Sequence, residues 1–331
     1  MEGTIVREGT KSLISATAWV LVLFYWVPVD AADPYPSRPV RLIVGAAPGG
    51  GTDFVARVIM PDLTQALGSP LVVDNRGGSA GTLAGELVAK AAPDGQTLLL
   101  ISGNFSTFPS LYRQLPYDPV KDLQPISNLG ATPLVVVVNP AVPAKSVKEL
   151  IDYVRSRTGQ VNYAAPGVGS MGHLAAELFK RTAQIEMEHI AYKGGGPAIT
   201  ALLGGEVQLY FSTVPAAIVQ AKAGRLRAIA TTGQKRSRAF PELPTLAESG
   251  LPGYDVTVWF GMLAPTGTAQ SIVDLLYRKS SEIMRTESVA NRLLGEGVEP
   301  IASSPSQFRA QIERENQKWA EVIRSANVKA N

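Results

Sequence analysis

Three stretches of the chain combine residue types that bind anions without a charged side chain. Each places glycines between an apolar run and the start of a helical pattern. The first is Pro48-Gly49-Gly50-Gly51-Thr52-Asp53, after Val40-Arg41-Leu42-Ile43-Val44. The second is Asn75-Arg76-Gly77-Gly78-Ser79-Ala80-Gly81-Thr82, after Leu71-Val72-Val73. The third is Pro166-Gly167-Val168-Gly169-Ser170-Met171-Gly172, after Val161-Asn162-Tyr163-Ala164. A helix start offers unpaired N–H groups and the positive end of the helix dipole, and glycine lets a ligand come close to that backbone. Each dipole contributes roughly 0.3–1 kcal/mol toward an anion. Three such ends together would hold a carboxylate without an arginine salt bridge. Any one of these turns, taken alone, is equally well explained as a tight connection. Neither nucleotide fingerprint fits, since Gly-x-x-x-x-Gly-Lys-Ser/Thr is absent and no Gly-x-Gly-x-x-Gly opens the first helix. A small organic anion therefore ranks above ATP or NAD.

Other chemistry is poorly supplied. A serine-hydrolase elbow around Ser170 would need glycine at 168, where the chain has valine; Ser170 reads as a helix cap or a ligand hydroxyl. His173 and Glu177 stand four apart on one helix, but no further histidine or cysteine supplies a third metal ligand. His173 is then a hydrogen-bonding residue near the loop, or packing. Thr52 or Asp53 is positioned to cap the first helix, and Asp53 reads as a cap first and a ligand contact second. Tyr192-Lys193-Gly194-Gly195-Gly196 unites a phenol, a cation and free amides, a further anion contact or a plain loop. No nucleophile stands at a compatible position from a base, so binding is favoured over catalysis. Neither a cofactor nor a metal is expected.

The elements that must hold these loops alternate. Strands are expected at 40–44, 70–73 and 97–101, with helices at about 52–67 and 80–91. That alternation predicts a parallel sheet with helices on both faces, and ligands bind beyond the carboxyl ends of such strands. Pro133-Leu134-Val135-Val136-Val137-Val138-Asn139-Pro140 reads as a first crossing into a second α/β unit, and the segment from Val256 to Pro265 as the return. Amphipathic helices at about 268–285, 287–294 and 305–325 follow. At 331 residues and 45% apolar, the chain supports two ordinary cores. A net charge of +3, scattered rather than striped, does not indicate a nucleic-acid surface. The absence of cysteine removes thiol chemistry and disulfides. The uncharged segment 13–29 follows Arg7 and Lys11 and ends at Val29-Asp30-Ala31, which reads as a secretory signal peptide over 1–31, with a retained anchor as the alternative.

The series Pro48-Gly49-Gly50-Gly51-Thr52-Asp53, Asn75-Arg76 with Gly78, Pro93-Asp94-Gly95, Gly167 with Gly169-Ser170, Tyr192-Lys193-Gly194, Leu203-Gly204-Gly205, Pro244-Thr245 with Glu248 and Gly250, and Trp259 with Ala264-Pro265 resembles the TctC-like Bug receptors. These are the extracytoplasmic solute-binding subunits of tripartite tricarboxylate transporters. The resemblance covers 36–325. It implies an α/β, two-lobed type II periplasmic-binding-protein fold with two crossing hinge strands: lobe 1 at 32–133 and 257–331, lobe 2 at 134–256. It also implies a periplasmic location, a di- or tricarboxylate, acidic amino acid or aromatic acid as ligand, and a permease of one large and one small membrane subunit as partner. No nucleic-acid partner is expected, and a monomer is. Carried over residue by residue, Gly49, Gly50, Thr52, Asp53, Gly78 and Ser79 are the candidate contacts of lobe 1, and Gly167, Ser170, His173 and Tyr192 those of lobe 2. The chain departs from the pattern at Gly78-Ser79-Ala80-Gly81, where the family usually has Gly-Ala-Gly-Gly, and at Gln208, where aspartate is common. A sensor subunit that presents ligand to a membrane histidine kinase would use the same cleft and is the alternative reading.

One substitution tests the first loop. Gly50→Val puts a branched side chain over the amides that a ligand must approach. The expected result is loss of carboxylate binding in calorimetry with a near-native far-UV spectrum.

Overall fold

Strand and helix alternation begins at Val40 and places apolar residues on both faces of the first strand. The computed structural model describes residues 1–4, 35–112, 114–192 and 194–329. Apart from its first four residues, the expected signal peptide lies outside the described residues, as does Lys193. The first part of the chain runs β1 (Val40–Val44), α1 (Gly51–Leu67), β2 (Leu71–Asn75), α2 (Thr82–Ala89), β3 (Thr97–Ser102), α3 (Phe108–Leu111) and β4 (Leu123–Val138). The middle runs α4 (Val147–Arg155), β5 (Asn162–Ala165), α5 (Met171–Ala183), β6 (Glu188–Ala191), α6 (Gly195–Gly204), β7 (Leu209–Thr213), α7 (Val214–Lys222) and β8 (Arg227–Thr231). The end runs β9 (Thr257–Pro265), α8 (Gln270–Met284), α9 (Glu287–Gly295), β10 (Glu299–Pro300) and α10 (Pro305–Ser325).

Two sheets share one strand. In the first lobe β2, β1 and β3 are parallel, β9 runs antiparallel to β3, and β4 lies beside β9 with β10 on its other side. In the second lobe β4 carries β7 and β8, both antiparallel, and β5 and β6 continue parallel beyond β7. The change occurs inside β4. Pro133 is the last residue opposite β9, paired with Thr257, and Leu134 is the first opposite β7. This is the expected two-lobed α/β architecture with two crossing strands.

The period-2 alternation of β1 explains why helices lie on both of its faces. Leu42 and Val44 join the core that contains Val55, Ile59 and Leu63 of α1, while Ile43 joins Ala84 and Val88 of α2. Four of the five β1 residues are buried, which matches a strand covered on both sides. Among the described residues no helix is long and apolar enough to cross a membrane. In α10, Phe308, Ile312, Trp319 and Ile323 are buried, as the amphipathic pattern requires.

Three expectations need correction. The N-cap of α1 is Gly50, with no side-chain cap; Thr52 and Asp53 lie inside the first turn. The first crossing strand starts at Leu123, ten residues before Pro133, because two shifts of register, between Pro125 and Ser127 and between Asn128 and Gly130, absorb residues that break a strand pattern. The helix expected at about 80–91 begins at Thr82, after a 3-10 turn at Ser79–Gly81 in which Ala80 has φ 56°. That left-handed conformation costs an alanine about 1–2 kcal/mol and glycine almost nothing.

Packing of α10 on the crossing strand turns on Gly261, where an added Cβ would overlap the Phe308 ring. Phe308 is fully buried and meets Trp259 edge to face at a centroid distance of 5.0 Å. Gly261→Ala is expected to destabilise the protein by about 1–3 kcal/mol through overpacking, read by urea denaturation. Adding Phe308→Leu should recover part of that loss, as a coupled pair.

Candidate functional site

The three parallel strands of the first lobe end at Val44, Asn75 and Ser102, and each is followed by a turn that meets its neighbour. The first loop is tied back to its own helix. Gly49, at φ 81°, donates its N–H to Asp53 Oδ2 at 2.8 Å. Asp53, 2% exposed, also accepts from Arg57 Nε at 2.9 Å and from Asn75 Nδ2 at 3.0 Å, and Asn75 Nδ2 reaches Ala46 O at 3.1 Å. Burial pushes the Asp53 carboxyl up, but the bonds from Arg57, Gly49 and Asn75 outweigh it and hold the group below the usual carboxylate range. Gly50 N turns back to Ala47 O at 3.3 Å. The N–H groups of Gly51, Thr52 and Asp53 stand at the open start of α1, with no acceptor among the described residues. A Cβ at Gly50 would make only ordinary contact, 3.4 Å from Ala47 O, so a valine there tests access to those amides and not chain folding.

The second loop lies against the first. A Cβ at Gly77 would come within 2.8 Å of Ala47 N, so only glycine permits this approach. Gly78 and Gly81 have φ of 106° and 100°, and Gly81 N donates to Gly78 O at 2.9 Å. The third turn, Gly103–Thr107, packs on the Ser79–Gly81 turn. Crossing strand β9 underlies this group. Phe260 lies against Gly51, and Trp259 lies against Gly103 while its indole N–H donates to Glu315 Oε2 at 2.7 Å. The nearby cations are already paired, Arg57 with Asp53 and Arg76 with Asp74.

In the second lobe the 166–170 loop repeats the construction. Gly169, at φ 73°, donates its N–H to His173 Nδ1 at 2.9 Å. Ser170 is the N-cap of α5; its Oγ accepts from His173 N at 3.3 Å and donates to Gly167 O at 2.9 Å. In both loops the glycine just before the N-cap is bound by the side chain four residues on, at the third helical position. His173 is 5% exposed and stacks on His189 at 3.8 Å. Burial, with smaller contributions from His189 and Lys180, lowers its pKa to about 3, so the ring is a neutral acceptor. Tyr192 lies beside the loop through its N–H to Ala165 O at 2.9 Å, but its hydroxyl points to Glu206 Oε2 at 3.5 Å. Burial and Glu206 together raise the pKa of that phenol.

The two lobes meet at residues that sequence reasoning did not single out. Asn104 Oδ1, from the turn after β3, accepts from Met171 N at the start of α5 at 3.2 Å. Leu111 occupies the space that a Cβ on Gly169 would need. Asn104 follows the carboxyl end of a parallel strand as the first two loops do, and that position was the available signal. The structure therefore brings Gly49, Gly50, Thr52, Asp53 and Gly78 together, with the backbone of Ser79 beside them, and joins Gly167, Ser170 and His173 to them through Asn104. Asp53 and His173 face their own loops as braces, and the Tyr192 hydroxyl is turned to Glu206. Gln208 lies at the opposite end of the second sheet, where its Oε1 accepts from Asn162 N at 2.7 Å.

Comparison with known proteins agrees with this fold. Residues 55–328 match the model of the tripartite tricarboxylate transporter family receptor. Protein BugT of Bordetella pertussis is 40% identical over 301 residues, which is 90% of this chain and 92% of that protein. Among solved structures, Rpa4515 of R. palustris with adipate superposes with a TM-score of 0.83 at 35% identity, covering 89% of this chain and 99% of the other. MatC (Rpa3494) from Rhodopseudomonas palustris with bound malate gives 0.78 at 32%, covering 87% and 100%. The glycine loops, the shared crossing strands and these relatives together place the chain in the tripartite tricarboxylate transporter receptor family, the Bug-type solute-binding proteins.

Proposed function

We propose that the protein captures a small organic acid between its lobes outside the cytoplasm and delivers it to a membrane permease of one large and one small subunit. It performs no covalent chemistry in this reading. The lobes are bounded within the rungs at Pro133 and Thr257, and Gly49, Gly50, Thr52, Asp53, Gly78, Ser79, Gly167, Ser170, His173 and Tyr192 build the site, with Asn104 added. The observation that carries the proposal is the pair of braced glycine loops, each ahead of a helix start. In the first loop, binding Gly49 N–H inward leaves the N–H groups of Gly51, Thr52 and Asp53 at the helix start as donors for a guest, while the adjacent arginines are already neutralised. Rpa4515 with adipate and MatC with malate support a dicarboxylate as the guest. Lobe closure around it would be a shift between open and closed populations.

A thermal-shift screen of malate, adipate, citrate, aspartate and benzoate tests this. An acid present at about 100 times its dissociation constant should stabilise the protein by roughly 2.7 kcal/mol. No shift with any acid, together with turnover of an ester substrate, would replace binding with hydrolysis. Asn104→Ala removes the cross-lobe acceptor of Met171 N–H and is expected to weaken binding of the best acid by about fivefold, the worth of one hydrogen bond.

A further inference from the structure

His173 and His189 are the chain's two histidines, and they stack on each other directly behind the 166–170 loop. The His173 ring has one acceptor lone pair when neutral. Since Nδ1 accepts from Gly169 N–H, the proton must sit on Nε2, which lies 3.9 Å from Glu177 Oε1. An additional proton has only Nδ1 to go to. The Gly169 amide and a solvent proton therefore compete for the same lone pair, and protonation of His173 requires the loop to let go.

We propose that His173 is a positioning residue for the second half of the binding site, holding the 166–170 loop only while its imidazole is neutral, so that the loop is released by acid. This rests on the solute-binding reading above. The surroundings favour the neutral ring. From β6 come His189, stacked at 3.8 Å, and Glu188 at the strand's exposed start; from β5 comes Tyr163, whose hydroxyl donates to Glu177 Oε1 at 2.6 Å. On α5 itself, Glu177 is bound to Lys180 at 3.0 Å, so its charge is shared before it reaches the imidazole. From β7 the nearby group is the Tyr210 phenol, whose pKa burial raises to about 12. From α10 the charge is Glu321, paired with Arg181 farther along α5. Nε2 of His189 is buried with no hydrogen-bond partner among the described residues, and the carboxylate beside the stack, Glu177, is already held by Lys180 and Tyr163.

The sign follows from linkage. A histidine whose pKa is lower in the folded loop than in the open one leaves the loop fully held above about 6.5, and favours the open, protonated loop progressively as the pH falls from there toward about 3. The first loop has no such weakness, because Asp53 accepts as a carboxylate whose pKa is lowered and which has Arg57 beside it.

The test pairs His173→Ala with His173→Asn, whose side-chain oxygen occupies the place of Nδ1 and does not titrate. In the protein without added acid, the hydrogen-exchange protection factor of the Gly169 amide should fall about tenfold per pH unit below about 6.5, and should be flat with pH in His173→Asn. At pH 7.5, with malate and adipate as probes, His173→Ala should bind about tenfold more weakly and His173→Asn within about threefold of the parent. Unchanged affinity in His173→Ala, no recovery in His173→Asn, or an equal pH slope for the Gly169 amide in His173→Asn would each overturn the proposal. If neither acid binds the parent protein while the Gly169 slope is present in the parent and absent in His173→Asn, the brace stands and the carboxylate reading falls.

Discussion

The site depends on one local interaction made twice: a left-handed glycine donates its N–H to the side chain at the third position of the helix that follows. Without it, a run of glycines is the most mobile kind of chain, since glycine loses more conformational freedom on ordering than any other residue. The bonds from Gly49 to Asp53 and from Gly169 to His173 fix the loop before any ligand arrives. Much of the ordering cost is then met during folding and not at binding, which is the physical content of preorganisation.

Acceptor choice separates the lobes electrically. Asp53 places a buried negative charge under the first loop and needs Arg57 and Asn75 to make it tolerable. His173 supplies an acceptor of similar reach without a formal charge, and so leaves the dipole of α5 unopposed. Contact between the lobes falls on that same helix start, through Asn104. Glu315, buried behind β9, ties the indole of Trp259 to α10, and burial raises its pKa even against the bonds from Gln311 and Trp259 that lower it. Through Trp259 the crossing strand supports the Gly103–Thr107 turn from below.

Much of this was legible in the residues. The strand at 40–44, the helices at 51–67 and 305–325 and the order of the second α/β unit follow from apolar periodicity that tertiary packing did not override. The N-cap role of Ser170 was readable because serine at the edge of a helical pattern has few other uses. What failed was either interrupted or non-local. The first half of β4 carries Pro125, Ser127 and Asn128, residues that argue against a strand until two bulges and a partner on each side accommodate them. His173 was legible as a hydrogen-bonding residue near its loop, whereas the brace made by Asp53 was hidden for a different reason: spacing puts a side chain near its loop, but whether it faces the loop or a guest depends on the left-handed glycine that turns the amide back. Asn104 needed the second lobe to be in place before it had anything to bind.

The rung at Pro133 and Thr257 has an architectural consequence. Because the chain leaves the first sheet and re-enters it at neighbouring positions, the intervening 134–256 segment behaves geometrically as an insert whose two ends are side by side. Such a segment is transplantable in principle: a cousin's equivalent could be grafted at the same rung without altering the strand ladder beneath. The seam would then lie in the contacts that span it, chiefly Asn104 with Met171, Arg181 with Glu321 and Arg238 with Glu299, which would have to be carried across as matched pairs.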